Sequence, residues 1–375
     1  MRAPACQPAA VGDGTPGLSL AQIVREGMPD LIAQYGNRLS HEQQRALAAI
    51  TVCRTPACGS LLMRCGACGN SDALPRSCGH RSCPACSHHT TGQWLDRQMA
   101  KRLPVDYFMA TFTLPAGMRG VATGYPKAVY AALFEAASDT LKTFGQRHKL
   151  EIDMGLCAVL HTHARNLAFH PHVHVVVPGG GVHERRRQWR KLKGRYLFNA
   201  RALAKVFRAK MLTALTRAGI HLPVGLPDRW IVDCRHVGAG LPALKYLSRY
   251  LYRGVISEHN LLALDRQRRT VTFRYTEWAT GNTVLRTLPI ADFLWRIARH
   301  VLPRGFRRVR AYGFLHHNAH KTLRLVQLIL RVKIKPVPAK KRPAWRCHHC
   351  QQPMHCVAVL PRRFIGQMAS GAGRP

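Results

Sequence analysis

Acidic side chains are scarce in this chain. Its 375 residues carry 18 Asp+Glu against 57 Lys+Arg, a formal net charge of +39. A surface this basic repels copies of itself and attracts a polyanion, and nucleic acid is the partner that fits best. Long apolar runs are also missing. No uninterrupted stretch is long enough to span a bilayer, which argues against a membrane partner. The opening MRAPACQPAAVGDGTPG has no continuous hydrophobic segment and does not read as a secretory signal. No P-loop signature occurs, so nothing points to nucleotide hydrolysis. There is no internal repeat and no regular alternation of strand and helix, which sets aside solenoids and doubly wound parallel sheets. What remains is 46% hydrophobic, enough for a buried core, and long enough for two or three domains.

The 13 cysteines are not spread as a disulfide framework would be. Seven fall between Cys53 and Cys86, and three more between Cys347 and Cys356. Clusters with CxxC spacing in a chain without a signal read as metal sites in a reducing compartment. Each CxxC turn can present two thiolates to one tetrahedral zinc. Cys65 and Cys68, with Cys83 and Cys86, therefore form the expected four-ligand set. Cys53, Cys58, Cys78 and His80 remain as a second, interleaved set. In WRCHHCQQPMHC, Cys347 and Cys350 are followed by the adjacent His355 and Cys356, which reads as half a zinc ribbon.

Residues 1–17 and roughly the last ten read as disordered. LSLAQIVREGMPDLIAQYG has helical apolar spacing, and Ser40 with Gln43 is a capping-box signal for a second helix. VDYFMATFTLP, MGLCAVLHTHARN, FHPHVHVVVP and RWIVDCRHV read as strands, the middle two as a hairpin. YPKAVYAALFEAASDTLKTFGQRHK, ARALAKVFRAKMLTALTRAG and LPALKYLSRYLYR read as amphipathic helices. The expected class is α+β with an antiparallel sheet. The expected divisions are 1–17, a disordered start; 18–92, a helical lead-in and zinc-binding domain; 93–270, the main mixed domain; 271–335, a strand pair and helices; and 336–375, a basic linker and Cys/His-containing tail.

Two constellations carry chemistry. His172 and His174 alternate on a strand, so both imidazoles face one side while Val173, Val175 and Val177 face a core. Pro171 puts His170 at the strand entrance. Two imidazoles on one face hold a divalent metal once a third polar ligand joins them. Asn166, His161 and His163 on the neighbouring strand are candidates for it, and Glu184 is a weaker one. Tyr246 and Tyr250 lie four apart on a helix and so share a face. A tyrosine hydroxyl can attack a phosphodiester whose phosphate a metal polarises, although an unperturbed pKa of about 10 makes it a poor nucleophile alone.

CRT, the double CxxC, FTLP, VLHTHARNLAFHPHVHVVVPGGG, YLSRYLYR and HVLPRGFRRVRAYGFLHH occur in an order that resembles the two-tyrosine HUH transposases of rolling-circle insertion sequences, the type numbered ninety-one. The resemblance covers roughly residues 20–335. It implies an HUH-nuclease core, a central antiparallel sheet flanked by helices, over 93–270, preceded by a small zinc-binding module. It also implies His172 and His174 as ligands of a catalytic Mg²⁺ or Mn²⁺, and Tyr246 and Tyr250 as nucleophiles. The implied activity is single-strand DNA nicking and strand transfer through 5′-phosphotyrosine at hairpin or duplex element ends. A cytoplasmic, nucleoid-associated bacterial enzyme would follow. A rolling-circle replication initiator or relaxase would share this chemistry. A non-catalytic zinc-dependent nucleic-acid-binding protein would share the charge and cysteines but has no need of the two tyrosines or the His pair.

Overall fold

The computed structural model describes residues 17–362 except 87, 147–149, 184, 193–196, 253–254, 278–279 and 334–343; the side chains of 88–91 and 249–252 also lie outside the description. Most of the two ends expected from sequence to be disordered therefore falls outside the described residues.

The chain begins with α1 (Leu20–Tyr35) and α2 (His41–Thr51). Ser40 caps α2 and Gln43 reaches back to it, which satisfies backbone N–H groups at both positions. A hairpin of β1 (Ser60–Cys65) and β2 (Ser71–Pro75) follows, then α3 (His88–Ala100). The central run is β3 (Tyr107–Thr113), α4 (Arg119–Gly124), α5 (Pro126–Gln146), β4 (Leu156–His163) and β5 (Phe169–Pro178). After it come the short strands β6 (Gly180–His183) and β7 (Gln188–Lys191), α6 (Ala200–Arg217), β8 (Ile231–His236) and α7 (Leu241–Tyr252). The chain then forms β9 (Leu261–Asp265), β10 (Thr270–Thr276), β11 (Thr283–Pro289), α8 (Ile290–Ala298), β12 (Val309–Tyr312), α9 (His320–Ile329) and β13 (Met354–Leu360).

The central sheet has five strands in the order β12-β4-β5-β3-β8, and every neighbour is antiparallel. The α+β class, with a central antiparallel sheet flanked by helices, is as expected from sequence. Alternation decides what covers each face. Val173, Val175 and Val177 of β5, with Phe108, Ala110 and Phe112 of β3, pack under α5 and α6 in the largest core. Val176 of β5, with Cys157 and Val159 of β4, meets Trp94 of α3 and Ala243, Leu244 and Leu247 of α7 on the other side. The glycines after β5 permit a close approach: a Cβ at Gly181 would lie 2.5 Å from the Asp153 carbonyl oxygen.

A second core joins distant parts of the chain. Leu20, Ile23 and Leu31 of α1 and Leu47 and Ile50 of α2 pack on Phe293 and Leu294 of α8, with Val271 and Phe273 of β10 beneath. Tyr35 stacks on Trp295 with ring centroids 4.9 Å apart. Residues 18–92 and 271–298 thus share one core. The expected division at 270/271 falls inside β10, the middle strand of the β9-β10-β11 sheet.

Candidate nuclease site and cysteine clusters

The alternating histidines lie in the β4–β5 hairpin. His161 pairs with His172 and His163 with Phe169. Thr162 alone therefore spans the interval that His170 and Pro171 fill on β5. Pro171 has no N–H to offer a ladder, and such a bulge is where a strand tolerates it. Beyond the bulge His172 and His174 face the same side as His161. One ring nitrogen from each of the three lies within 4.8 Å of the others. Ring centroids are 4.4 Å apart for His161 and His174, 5.1 Å for His161 and His172, and 4.8 Å for His172 and His174.

Neighbouring groups orient two of these rings. The His172 Nδ1–H donates to the His170 carbonyl at 2.7 Å. A carbonyl only accepts, so Nδ1 carries the proton and Nε2 keeps its lone pair. His174 Nδ1 lies 2.9 Å from the Thr111 hydroxyl, and Thr111 is its cross-strand partner in β3. Burial pushes the His172 pKa down to about 4 and those of His161 and His174 well below the ordinary histidine range. The three imidazoles are therefore neutral at pH 7, the state in which they can ligate a metal.

Of the candidate third ligands, His161 joins the pair. His163 turns to His300, with ring centroids 5.0 Å apart, although it borders the same cavity. Asn166 Oδ1 accepts from the Ala168 N–H at 3.1 Å and shapes the hairpin loop. Glu184 lies outside the described residues. His170, half-buried, has its ring 5.1 Å from that of His172.

Helix α7 brings the tyrosine. It starts after Gly240, whose φ of +79° and close approach to the Tyr107 ring both favour glycine. Ala243, Leu244 and Leu247 anchor α7 on the sheet. Tyr246 beside them projects to the histidines, with its ring centroid 5.9 Å from that of His174 and 6.4 Å from that of His161. Tyr250 follows one turn on along α7, and its side chain lies outside the described residues. The histidines and Tyr246 line one cavity of about 850 Å³, together with Arg165, Arg235 and Asp233. The roles of Thr111 and of the His170 carbonyl were not foreseen from sequence. Thr111 and Thr113 alternate visibly in FMATFT, but only the β3–β5 register sets Thr111 against His174.

The cysteines assemble differently from the sequence expectation. Cys65 and Cys68 do not meet Cys83 and Cys86. Instead Cys53, Cys78, Cys83 and Cys86 form one cluster, and Cys65, Cys68, Cys347 and Cys350 another. The reason is packing: Cys53 and Cys83 are buried beneath α1 and α2, whereas Cys65 ends β1 at a separate small core. Cys58 and His80 stay out of the first cluster. The Cys58 thiol donates to the Val52 carbonyl at 3.0 Å, and His80 Nδ1 accepts from the Ser82 N–H at 3.2 Å. In the first cluster Cys86 Sγ lies 3.5 Å from the sulfurs of Cys53 and Cys78, and Cys83 Sγ 3.6 Å from that of Cys53. A tetrahedron of thiolates at a zinc–sulfur distance of 2.3 Å has edges of about 3.8 Å, so the donor set fits zinc. The nearby Cys53 sulfur pushes the Cys78 and Cys83 thiols far up. Crowded thiolates repel one another, and a divalent cation relieves that repulsion.

A further cavity, of about 590 Å³, is lined by Lys101, Lys127, Arg304, Arg307, Arg310 and His317. Its charge suits phosphate.

Comparison with known proteins gives the family. Residues 155–322 match the family described as "Putative transposase", and residues 23–114 match the "Transposase zinc-binding domain". A Sinorhizobium fredii protein named "Putative transposase y4qJ" is 34% identical over 336 residues, covering 83% of each chain. The chain belongs to the transposase family of insertion sequences of the type numbered ninety-one. The "Transposase for insertion sequence element IS801" of Pseudomonas savastanoi pv. phaseolicola is 29% identical over 294 residues, 72% of this chain and 71% of its own. No solved structure matches. The transposase is thus a DNA-binding protein of nuclease and strand-transfer type with a zinc-binding domain. Among the described residues, no helix is long and apolar enough to cross a membrane.

Proposed function

We propose that this transposase nicks and rejoins single-stranded DNA at the ends of its element by the HUH mechanism. The observation that carries the reading is the meeting of three neutral, buried imidazoles with Tyr246 in one cavity. His161, His172 and His174 would hold the divalent cation, and an all-imidazole set suits Mn²⁺ better than the oxygen-seeking Mg²⁺. Such a cation supplies Lewis-acid polarisation of the scissile phosphate. Thr111 and the His170 carbonyl keep two of the rings in place. The Tyr246 hydroxyl oxygen attacks phosphorus, and the bond from phosphorus to the 3′ oxygen breaks. The tyrosine proton passes to solvent, and the leaving oxygen takes one up. The products are a 5′-phosphotyrosine and a free 3′-OH. Tyr250, one turn away, is the second nucleophile and can cut another strand while the first remains linked. Each exchange conserves a phosphodiester, so no nucleotide hydrolysis is needed. Cys53, Cys78, Cys83 and Cys86 hold a structural zinc in the DNA-gripping N-terminal module. The lysine- and arginine-lined cavity holds the backbone of the duplex or hairpin flanking the cut.

The test is incubation with 3′-labelled single-stranded element ends and Mn²⁺, followed by denaturing gels. The wild type should form an SDS-stable adduct. Each of Tyr246→Phe and Tyr250→Phe should retain one cleavage or lose one transfer step, and the double variant should form none. Adduct formation by the double variant would overturn the mechanism. Plasmid origins nicked in preference to element ends would favour a replication initiator.

A further inference from the structure

The second cysteine cluster joins the two ends of the chain and lies outside the chemistry above. Cys65 ends β1 and Cys68 follows it, while Cys347 and Cys350 precede β13, with 279 positions separating Cys68 from Cys347. The two CxxC turns are built alike. The Gly69 N–H donates to the Cys65 carbonyl at 3.1 Å, and the Gln351 N–H donates to the Cys347 carbonyl at 2.8 Å. The Cys65 N–H donates to the Asn70 carbonyl at 2.8 Å, and the Cys347 N–H to that of Gln352 at 2.9 Å. The residue after the second cysteine is left-handed in both, Gly69 at φ +71° and Gln351 at φ +59°. Glycine adopts that conformation freely, whereas glutamine adopts it at a cost that the surrounding structure must offset.

The turns face each other. Cys65 Sγ lies 3.4 Å from Cys350 Sγ, Cys68 Sγ 3.6 Å from Cys347 Sγ, and Cys350 Sγ 3.5 Å from Cys68 Sγ. These separations are far beyond a disulfide bond of about 2.05 Å and near the tetrahedral edge of about 3.8 Å for four thiolates on zinc. Around them β13 pairs with β1 along Ser60–Cys65, giving the sheet order β13-β1-β2, and Leu61, Met63 and Met354 form a small core. Arg362, beyond β13, donates to the Cys78 carbonyl at 3.4 Å and so reaches the first cluster.

We infer that Cys65, Cys68, Cys347 and Cys350 bind a second zinc ion that fastens the C-terminal segment to the N-terminal module. The segment after the Pro/Lys linker is then a third strand of that module, and the module matched over residues 23–114 is incomplete without it. This inference rests on the turn geometry and stands whether or not the tyrosine mechanism holds.

The test uses the full-length protein purified in reducing buffer. Metal analysis should give two zinc ions per chain, and Cys347→Ser/Cys350→Ser should give one. A specific protease site placed in the linker between Lys335 and Ala344 supplies a readout that does not depend on a cysteine variant folding. After cleavage, the C-terminal fragment should co-elute with the rest on gel filtration and separate once a zinc chelator is added. One zinc per wild-type chain, or a fragment that leaves without chelator, would overturn the inference. So would a non-reduced mass lowered by two disulfides in a zinc-free protein.

Discussion

Thr111→Val tests whether the sheet register around the histidines governs metal binding. The substitution keeps side-chain volume and removes the hydroxyl 2.9 Å from His174 Nδ1. Val and Thr differ in polarity rather than shape, so the β3–β5 pairing should persist and the loss should fall on the imidazole. Outer partners that orient ligating histidines typically contribute 10- to 100-fold in metal affinity, about 1.4–2.7 kcal/mol. Mn²⁺ titration by calorimetry should therefore show affinity weakened by about 10- to 100-fold. Adduct formation should shift to higher Mn²⁺ by the same factor and recover at saturation. Thr113→Val is the control. Thr113 is paired with His172, but the His170 carbonyl already holds that ring's Nδ1, so little should change. Unchanged Mn²⁺ affinity in Thr111→Val, or a defect that excess Mn²⁺ does not restore, would refute the reasoning.

His172→Ala or His174→Ala should abolish cleavage while DNA affinity in a gel-shift assay stays within about twofold, since binding rests on dispersed phosphate contacts. Chelating the zinc proposed for Cys53, Cys78, Cys83 and Cys86 should loosen α1, α2 and α8 together, because Cys53 and Cys83 belong to the core these helices share; hydrogen exchange should rise there and not in the central sheet. Affinity for DNA should fall about 1,000-fold or more between 50 and 200 mM salt if six or more phosphates are contacted, and a shallow slope would contradict the charge argument. Burial holds the His300 pKa at about 3. The unfolded chain gains a proton below about pH 6.5 that folded His300 refuses, so stability should fall with pH from there down to about 3, by about 2 kcal/mol at pH 5. A urea midpoint that does not fall between pH 7 and pH 5 in metal-free protein would contradict this.

Local chemistry was legible in the sequence. A period of two put His172 and His174 on one face and three valines on the other, and a period near 3.6 put Tyr246 and Tyr250 on one side of a helix. A CxxC spacing likewise fixes a turn that presents two thiolates, whatever lies elsewhere. The sequence did not disclose partners that depend on packing. His161 was one candidate among several until the β4–β5 register set it against His172. Thr111 and Thr113 alternate in β3, but nothing local set Thr111 rather than Thr113 against His174. The cysteine pairs are the clearest case. Proximity along the chain suggested that Cys65 and Cys68 would share a metal with Cys83 and Cys86. The fold instead pairs Cys65 and Cys68 with Cys347 and Cys350, and Cys83 and Cys86 with Cys53 and Cys78, because β13 lies against β1 and Cys83 is buried under α1 and α2. Loop-closure entropy grows only with the logarithm of loop length, so a gap of 279 positions is a weak barrier once strand pairing brings the turns together. The local sequence determined that there would be paired thiolates and paired imidazoles, while the tertiary structure decided which pairs meet.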